Sequence, residues 1–308
     1  MNILIYGIGG VGGYFGGKLT QTSHNITFIA RGAHLKAIQE KGLEINSFKG
    51  DFTAIPDLAT DDLNEIPTPD LIILGVKSWQ VRDTITKLKP YVKPETVFLP
   101  LQNGAANAEM ILEVLPNASV LGGLCRIVSF IDGPGKIKHP HFEPSIIFGE
   151  LDGRMTDRAK KILEVFNEVN DINVKLVDNI QVEIWKKFLF ICTISGFGGL
   201  VRVPMGKIRS SDYLFNMMKD TAQEIFKLAK AKGINLTEAH MQSVFEAIQN
   251  QGADVTASTQ RDIMEGKPSE LDNFNGYIVR EGKRLGVSVP VNELIYECLK
   301  PMEKEARS

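Results

Sequence analysis

A glycine-rich turn close to the N-terminus places the strongest constraint on the fold of this chain. Residues 7–12 fit G-x-G-x-x-G, and they follow the apolar run 2–6 and open the helical segment 10–20. In such a motif the first glycine permits a tight turn, the second admits a pyrophosphate, and the third lets the helix pack on the strand. The pattern predicts a dinucleotide-binding βα unit, with a purely structural glycine turn as the alternative. The predicted cofactor-binding residues are Gly7, Ile8, Gly9, Gly10, Val11 and Gly12.

The first half of the chain alternates short β-rich runs with helical segments. Apolar runs occur at 26–30, 70–76 and 97–99, and the run 70–76 is apolar almost throughout, as in a strand buried on both faces. This alternation predicts a parallel sheet with helices on both sides, extended by a β-meander between 120 and 149. We therefore predict an α/β fold that begins with a Rossmann-type domain over residues 1–178.

The second half of the chain has helical spacing or helix caps and no strand pattern of comparable strength. The helical segments are 179–203, 209–232, 237–250, 254–266, 270–286 and 291–304. They predict an all-helical second domain over residues 179–308. The last nine residues, KPMEKEARS, are expected to fray.

Composition limits the partners and the location of the protein. A net charge of −2 and a pI of about 6.3 give no sign of a nucleic-acid or anionic-membrane partner. We expect no spanning helix, because the sequence has no run of about 18 apolar residues. We expect no signal peptide, because the N-terminal apolar run has no basic flank and leads into the glycine motif. Cys125, Cys192 and Cys298 are widely spaced and favour a reducing, cytoplasmic compartment. No metal site is predicted, and His139 with His141 is taken as an ordinary polar pair.

The end of the second predicted strand indicates which dinucleotide binds. NAD sites usually place an acid there for the ribose 2′-hydroxyl, whereas this strand is followed by Arg31 and the first acid is Glu40. A guanidinium at this position pairs with a 2′-phosphate. The sequence therefore predicts NADPH, with a solvated loop charge as the alternative reading of Arg31.

Two further loops follow predicted strands at the edge where open α/β sheets bind ligands. Residues 75–78 read Gly-Val-Lys-Ser, and residues 101–104 read Leu-Gln-Asn-Gly. Lys77 and Asn103 are candidate binding residues on this ground. The alternatives are a solvated lysine and an ordinary Asn-Gly turn.

Six stretches together resemble the ketopantoate reductase (2-dehydropantoate 2-reductase) family. The resemblance implies a helical second domain like that of 6-phosphogluconate dehydrogenase and an oxidoreductase that uses NADPH to reduce a 2-oxo acid. Ketopantoate, in pantothenate and coenzyme A synthesis, is the first expected substrate, and a homodimer is plausible by resemblance. The collinear stretches are GIGGVGGYFGGKL at 7–19, ARG at 30–32, VKS at 76–78, QNG at 102–104, IWKKF at 184–188, and SELD with NG at 269–276.

The resemblance also implies roles for individual residues. Lys187 matches the catalytic lysine, and Glu270 matches the glutamate that binds the substrate hydroxyl and orients the lysine. Ser258, twelve residues before Glu270, matches the serine that binds the substrate carboxylate. The matches near the cofactor are Asn103 beside the nicotinamide, Lys77 beside the cofactor and Arg31 at the 2′-phosphate.

The sequence departs from the family at positions that normally line the substrate pocket with polar groups. The departures leave the hydride chemistry in place and open the possibility of another 2-oxo acid or ketone as substrate. Arg202 is an additional cation in this region and a candidate replacement contact for the substrate carboxylate. The departing residues are Ile191, Ser195, Met205 and Val255.

The two lysines of IWKKF have a chemical and a structural interpretation. Ketone reduction needs a proton and charge stabilisation at the oxygen, and a lysine in apolar surroundings supplies both. Alternatively, Lys187 forms a surface ion pair with Glu183, and Glu270 is a first-turn helix acid. A non-catalytic NADP(H)-binding protein is the second functional class, against which the presence of both Lys187 and Glu270 argues.

Overall fold

The computed structural model describes residues 1–308, which divide into two units. The first unit comprises Met1–Asn103 and Asn107–Ile180, and the second comprises Gln181–Ser308 together with Gly104–Ala106. The first unit is built around a mixed β-sheet, and the second is helical.

The sheet of the first unit has a parallel centre formed by the most apolar strands. The strands are β1 (Asn2–Tyr6), β2 (Asn25–Ile29), β3 (Leu43–Ser47), β4 (Phe52–Ala54), β5 (Leu58–Thr60), β6 (Leu71–Leu74), β7 (Val97–Pro100), β8 (Ser119–Gly133), β9 (Lys136–Glu150) and β10 (Asn173–Leu176). Their order in the sheet is β4-β3-β9-β8-β7-β6-β1-β2-β5, with β10 paired to β9. The chain runs from β1 to β2 on one side and later to β6 on the other, so the β1–β6 boundary is a topological switch point.

Five helices accompany this sheet. They are α1 (Gly10–Leu19), α2 (Gly32–Lys41), α3 (Val81–Leu88), α4 (Asn107–Val114) and α5 (Asp157–Asn167). The first helix packs closely because it is rich in glycine. A Cβ on Gly16 would lie 2.9 Å from Ile5 Cγ1, and a Cβ on Gly17 would lie 2.3 Å from Ile45 Cδ1. Both glycines therefore serve helix packing against the sheet.

The predicted β-meander is instead one long antiparallel hairpin. Strands β8 and β9 each have 15 residues and are joined through Gly133 and Gly135, both with positive φ. Their register shifts three times, between 126 and 128, 128 and 130, and 131 and 133. These irregularities interrupt the alternation of side chains, which is why the sequence pattern divided the hairpin into shorter strands.

The second unit contains seven helices and one turn of π-helix. The helices are α6 (Ile180–Val201), α7 (Met205–Arg209), α8 (Asp212–Ala231), α9 (Glu238–Gln249), α10 (Ser258–Met264), α11 (Tyr277–Leu285) and α12 (Pro290–Ala306), and the π turn is Asp272–Gly276. The helix predicted over 209–232 is observed as α8, which begins at Asp212 because Ser211 caps it, its Oγ accepting from the Leu214 N–H. The π turn before α11 was not expected.

Helix α6 is the apolar centre of the second unit. Its 22 residues are long and apolar enough to span a membrane by length and composition alone. Of its most apolar window, 67% is buried inside the protein. Such burial accounts for the composition of α6 as that of a core helix.

The expectation that the last nine residues fray is wrong. Helix α12 continues to Ala306, and Glu303 within its last turns is buried. The acid bonds to Ser269, and Arg307 bonds to both residues. Polar residues near the C-terminus are therefore held by partners elsewhere in the second unit.

Candidate active site

The glycine loop of the first unit has the tight packing that its sequence motif predicts. Gly7 has φ +97°, which favours glycine, and a Cβ on Gly12 would lie 2.1 Å from the Gly7 carbonyl oxygen. Beside them, a Cβ on Gly75 would lie 2.6 Å from the same oxygen. Three glycines thus bring the β1–α1 turn, the start of α1 and the end of β6 into direct backbone contact.

The start of α1 leaves room for an anionic group. Gly9 caps the helix without a side chain, and the first turn contains no acid. A Cβ on Gly9 would have only the Gly75 carbonyl oxygen near it, at 4.0 Å. The first N–H groups of a helix bind phosphates where space and charge allow. The loop therefore fits the pyrophosphate of a dinucleotide.

The predicted cofactor residues Arg31, Lys77 and Asn103 follow neighbouring strands at one edge of the sheet. Tyr6 at the end of β1 pairs with Ile29 of β2 and Leu74 of β6, so these strands end in the same row. Arg31 is exposed, takes the N-cap position of α2 and forms no ion pair, so its guanidinium is available for a phosphate.

Lys77 and Asn103 lie in loops with defined backbone contacts. The Lys77 N–H donates to Gln80 Oε1 at 3.1 Å, and the Lys77 Nζ lies 5.6 Å from the Trp79 ring centroid. Asn103 is half-buried, and its carbonyl oxygen accepts from Asn107 Nδ2 at 3.3 Å. The same Nδ2 bonds the Gln102 carbonyl oxygen at 3.0 Å. Asn107 therefore shapes the Asn103 loop.

Lys187 is half-buried on α6 between buried apolar neighbours. Trp185 and Phe188 are each about 1% exposed and pack edge-on, with ring centroids 5.4 Å apart. Glu183 pairs with Lys186, at 2.9 Å between Nζ and Oε1, although i,i+4 spacing favours Lys187. The two adjacent lysines are therefore differently placed, and Lys186 has the ordinary surface-pair role.

Glu270 is buried near α6. The Cys192 thiol, one to two turns after Lys187, has a pKa raised well above its ordinary value by burial and further by the negative charge of Glu270. The segment after Glu270 also packs on α6, because a Cβ on Gly196 would lie 2.2 Å from Asn275 Oδ1. The second unit therefore brings the predicted acid to the helix that carries the predicted lysine.

Ser258 and Arg202 lie toward the C-terminal end of α6. Ser258 is exposed at the start of α10, whose Gln260 side chain packs on Gly198. Arg202 is exposed, and its guanidinium points to Met302 Sδ at 2.8 Å. Arg202 follows Lys187 by fifteen residues, and at a helical rise of about 1.5 Å per residue the two lie about 22 Å apart along the helix axis. The structure does not bring Arg202 together with Lys187.

The four departures from the family pattern have different surroundings. Ile191 is half-buried one turn after Lys187, and Ser195 is buried two turns after it. Met205 is buried, and its N–H donates to the carbonyl oxygen of the exposed Val255 at 3.1 Å. Only Ile191 thus presents a partly open apolar side chain close to Lys187 in the chain.

Sequence reasoning did not single out three residues that shape these sites. Gly75 packs against the glycine loop, Asn107 holds the Asn103 loop, and Asn275 packs on α6. A glycine directly after a buried apolar run was the available signal for Gly75. Asn107 and Asn275 act through contacts that form only in the folded protein, and the spacing of residues in the sequence does not predict such contacts.

Comparison with known proteins agrees with this geometry. A family model described as ketopantoate reductase PanE/ApbA matches residues 3–153, and the model of the C-terminal part of the same family matches residues 179–303. The chain belongs to the ketopantoate reductase family. The family uses NADPH, consistent with the glycine loop and Arg31.

Relatives cover the chain from end to end. An uncharacterized oxidoreductase, YkpB of Bacillus subtilis, is 30% identical over 99% of this chain and 100% of its own. A 2-dehydropantoate 2-reductase of Pyrococcus abyssi is 31% identical over 98% of both chains. A crystal structure of a PanE/ApbA family ketopantoate reductase from Ralstonia eutropha superposes with a TM-score of 0.90 at 26% identity, covering 100% of each chain. A D-mandelate dehydrogenase solved with NADH and anilino(oxo)acetate shares the fold, with a TM-score of 0.87 at 24% identity, covering 100% of this chain and 99% of its own.

The family assignment establishes the class of the protein. Like other ketopantoate reductase family members, it is an NADP-dependent oxidoreductase that acts on CH–OH groups. Its mixed-sheet first unit and helical second unit match the fold of that family.

Proposed function

We propose that this family member reduces a 2-oxo acid with NADPH, and that ketopantoate (2-dehydropantoate), reduced to pantoate, is its substrate. That role would put it in cytoplasmic pantothenate and coenzyme A synthesis. The observation that most supports the proposal is the presence of Lys187 on α6 together with the buried Glu270 close to the same helix. A relative named 2-dehydropantoate 2-reductase at 31% identity supports the substrate.

The proposed chemistry assigns one task to each residue. Bound NADPH supplies a hydride to the carbonyl carbon. As negative charge develops on the carbonyl oxygen, the Lys187 ammonium stabilises it and donates the proton that completes the hydroxyl group. Glu270 accepts a hydrogen bond from that hydroxyl and keeps the lysine in place.

Binding of the substrate and cofactor is assigned to other groups. Ser258 is the proposed contact of the substrate carboxylate, and Asn103 is proposed beside the nicotinamide. Arg202 is left out, because it is exposed and its guanidinium points to Met302 Sδ. The proposed cofactor contacts are the glycine loop 7–12, Arg31 and Lys77.

A second candidate substrate is a 2-oxo acid with an apolar side chain. The half-buried Ile191 lies one turn from Lys187 on α6, where it can contact apolar atoms and cannot bind a hydroxyl group. A substrate hydroxyl buried without a partner loses affinity. An apolar side chain would therefore be favoured over the hydroxyl-bearing chain of ketopantoate at such a surface.

The test is NADPH oxidation by the purified protein with ketopantoate and a panel of branched and aromatic 2-oxo acids. Turnover of ketopantoate supports the first proposal, and turnover restricted to apolar acids supports the second. If no acid on the panel reacts while NADPH still binds, neither substrate proposal holds, and other 2-oxo acids and ketones have to be tested.

The role of Lys187 is tested against its neighbour. Lys187→Ala is expected to lower kcat at least about a hundredfold, as for loss of a general acid, with the dissociation constant of NADPH unchanged. Lys186→Ala is the matched control, because Lys186 pairs with Glu183. A loss of only a few-fold for Lys187→Ala, or equal losses for both variants, would contradict the assignment.

A further inference from the structure

The residue directly before Glu270 is held entirely by the end of α12. Ser269 is fully buried, and its N–H donates to both carboxylate oxygens of Glu303, at 3.1 and 3.0 Å. Its hydroxyl donates to Glu303 Oε2 and accepts from the Leu271 N–H at 3.2 Å. Ser269 is thus tied directly to one buried carboxylate, and Leu271, on the other side of Glu270, is tied to it through the Ser269 hydroxyl.

Arg307 completes the attachment. Its Nε donates to Glu303 Oε1 at 2.6 Å, and its NH2 group donates to the Ser269 carbonyl oxygen at 2.9 Å. Every polar group of Ser269 is therefore bonded within this cluster. The guanidinium balances the charge of the buried Glu303, which would otherwise be costly to hold.

The other end of the Glu270 segment is also anchored. The Glu270 carbonyl oxygen accepts from the Phe274 N–H at 2.9 Å, which begins the turn leading into α11. Asn275 Nδ2 then donates to Asn292 Oδ1 at 3.0 Å, near the start of α12. Asn292 Nδ2 in turn bonds Glu224 Oε2 of α8 at 2.8 Å. Both ends of the segment are held by α12, so Glu270 has little backbone freedom.

We propose that Glu303 and Arg307 are positioning residues that fix the direction of the Glu270 carboxylate toward α6. The proposal rests on the proposed function, in which Glu270 acts on the substrate hydroxyl and on Lys187. Neither residue touches the substrate in this scheme. They act by fixing the backbone at Ser269, because a displacement of about 1 Å at a reacting group can cost a hundredfold in rate.

The substitution that best separates positioning from folding is Glu303→Gln. The variant keeps the size of the side chain but replaces one of the two carboxylate oxygens that accept hydrogen bonds from Ser269 with an NH2 group, which cannot accept. Arg307→Lys is the milder second variant, because it keeps the charge and loses the fork that reaches both Glu303 and Ser269. Glu305→Gln is the matched control, since Glu305 is exposed on the same helix.

Steady-state kinetics are measured with the 2-oxo acid that the protein reduces, together with NADPH affinity by fluorescence. Glu303→Gln and Arg307→Lys are each expected to lower kcat/KM about 10- to 100-fold, mainly through kcat, with NADPH affinity and the Glu305→Gln control within about two-fold of wild type. If Glu303→Gln fails to fold, Arg307→Lys carries the measurement.

A double-mutant cycle with Glu270→Gln distinguishes positioning from general destabilisation. If Glu303 and Arg307 act through Glu270, their substitution costs less than about three-fold once Glu270 is already glutamine. Equal costs in both backgrounds would overturn the positioning role while leaving the proposed function intact. If Glu270→Gln itself costs nothing, the role of Glu270 in the proposed function fails and the positioning role fails with it.

Discussion

The ion-pair cluster around Glu281 on α11 allows a quantitative prediction about acid stability. Hydrogen bonds from Arg284 and then from Lys232 hold the pKa of Glu281 at about 2, against the opposing effect of burial. Lys232 and Glu281 are 11% and 14% exposed, with Nζ and Oε2 2.5 Å apart. Lys232 also donates to the Tyr277 hydroxyl at 2.9 Å.

The lowered pKa of Glu281 determines the direction in which stability changes with pH. Because the folded pKa lies below the unfolded value near 4.5, the stabilisation is present in full above that value. It is lost as the pH falls toward 2. A folded pKa of about 2 against 4.5 sets a ceiling of about 3.4 kcal/mol on this stabilisation. Arg284 is 60% exposed and its share is screened by water, so we expect about 2 kcal/mol at neutral pH.

The perturbation is Glu281→Gln, measured by urea unfolding in a Trp79→Phe background. That background leaves Trp185 as the only tryptophan, and its ring lies 6.4 Å from Tyr277, so its fluorescence reports on the second unit. The stability difference between variant and parent is expected to fall to less than half as the pH is lowered from about 7 to about 3.

Glu297→Gln is the matched control for this measurement. Its pair with Lys300 is 3.3 Å long with both side chains more than half exposed, so we expect a loss under about 0.5 kcal/mol. A Glu281→Gln stability difference that stays constant between the two pH values, or that equals the difference for the control, would contradict this stabilising role of Glu281.

Two further predictions concern the cofactor site. Arg31→Ala is expected to weaken NADPH binding about 10- to 100-fold and leave NADH binding unchanged, because only NADPH has the 2′-phosphate. Isothermal titration measures the binding of both cofactors, with Lys36→Ala on the same helix as the control. Equal losses of affinity for the two cofactors would contradict the proposed contact between Arg31 and the 2′-phosphate. Gly12→Ala is expected to weaken NADPH binding at least about tenfold, because its Cβ would lie 2.1 Å from the Gly7 carbonyl oxygen. The unfolding midpoint of the second unit, followed by Trp185 fluorescence, is expected to stay unchanged. NADPH affinity within two-fold of wild type would contradict this prediction.

Local sequence signals were enough for the central strands, the glycine loop and most helices. The apolar run 71–74 is fully buried as β6, and the helix predicted over 237–250 is observed as α9, with Thr237 as its N-cap. These features depend on residues close together in the chain, so pattern and capping rules find them. Helix α6 and the segment with Glu270 could each be predicted in this way, whereas the contact between them could not.

Features that depend on distant partners were not predictable. The π turn at 272–276 is marked by a bond from the Gly276 N–H to the Leu271 carbonyl oxygen, and it is packed by Asn275 against Gly196. The last turns of α12 look disordered from composition because their acids and bases suggest solvent exposure. Their partner, Ser269, lies 34 residues from Glu303, and no spacing rule connects them.

The contact between Gly10 and the β8–β9 hairpin restricts how this family member can vary. A Cβ on Gly10 would lie 2.2 Å from the Ser129 carbonyl oxygen and 2.9 Å from the Phe130 nitrogen, both backbone atoms. No change of side chain at 129 or 130 can therefore make room for a larger residue at position 10. Room can come only from a different hairpin backbone, near the register shifts at 126–130. A residue larger than glycine at position 10 therefore requires a change in the length or the bulges of a hairpin more than a hundred residues away. The side chains of that hairpin can change while position 10 remains glycine.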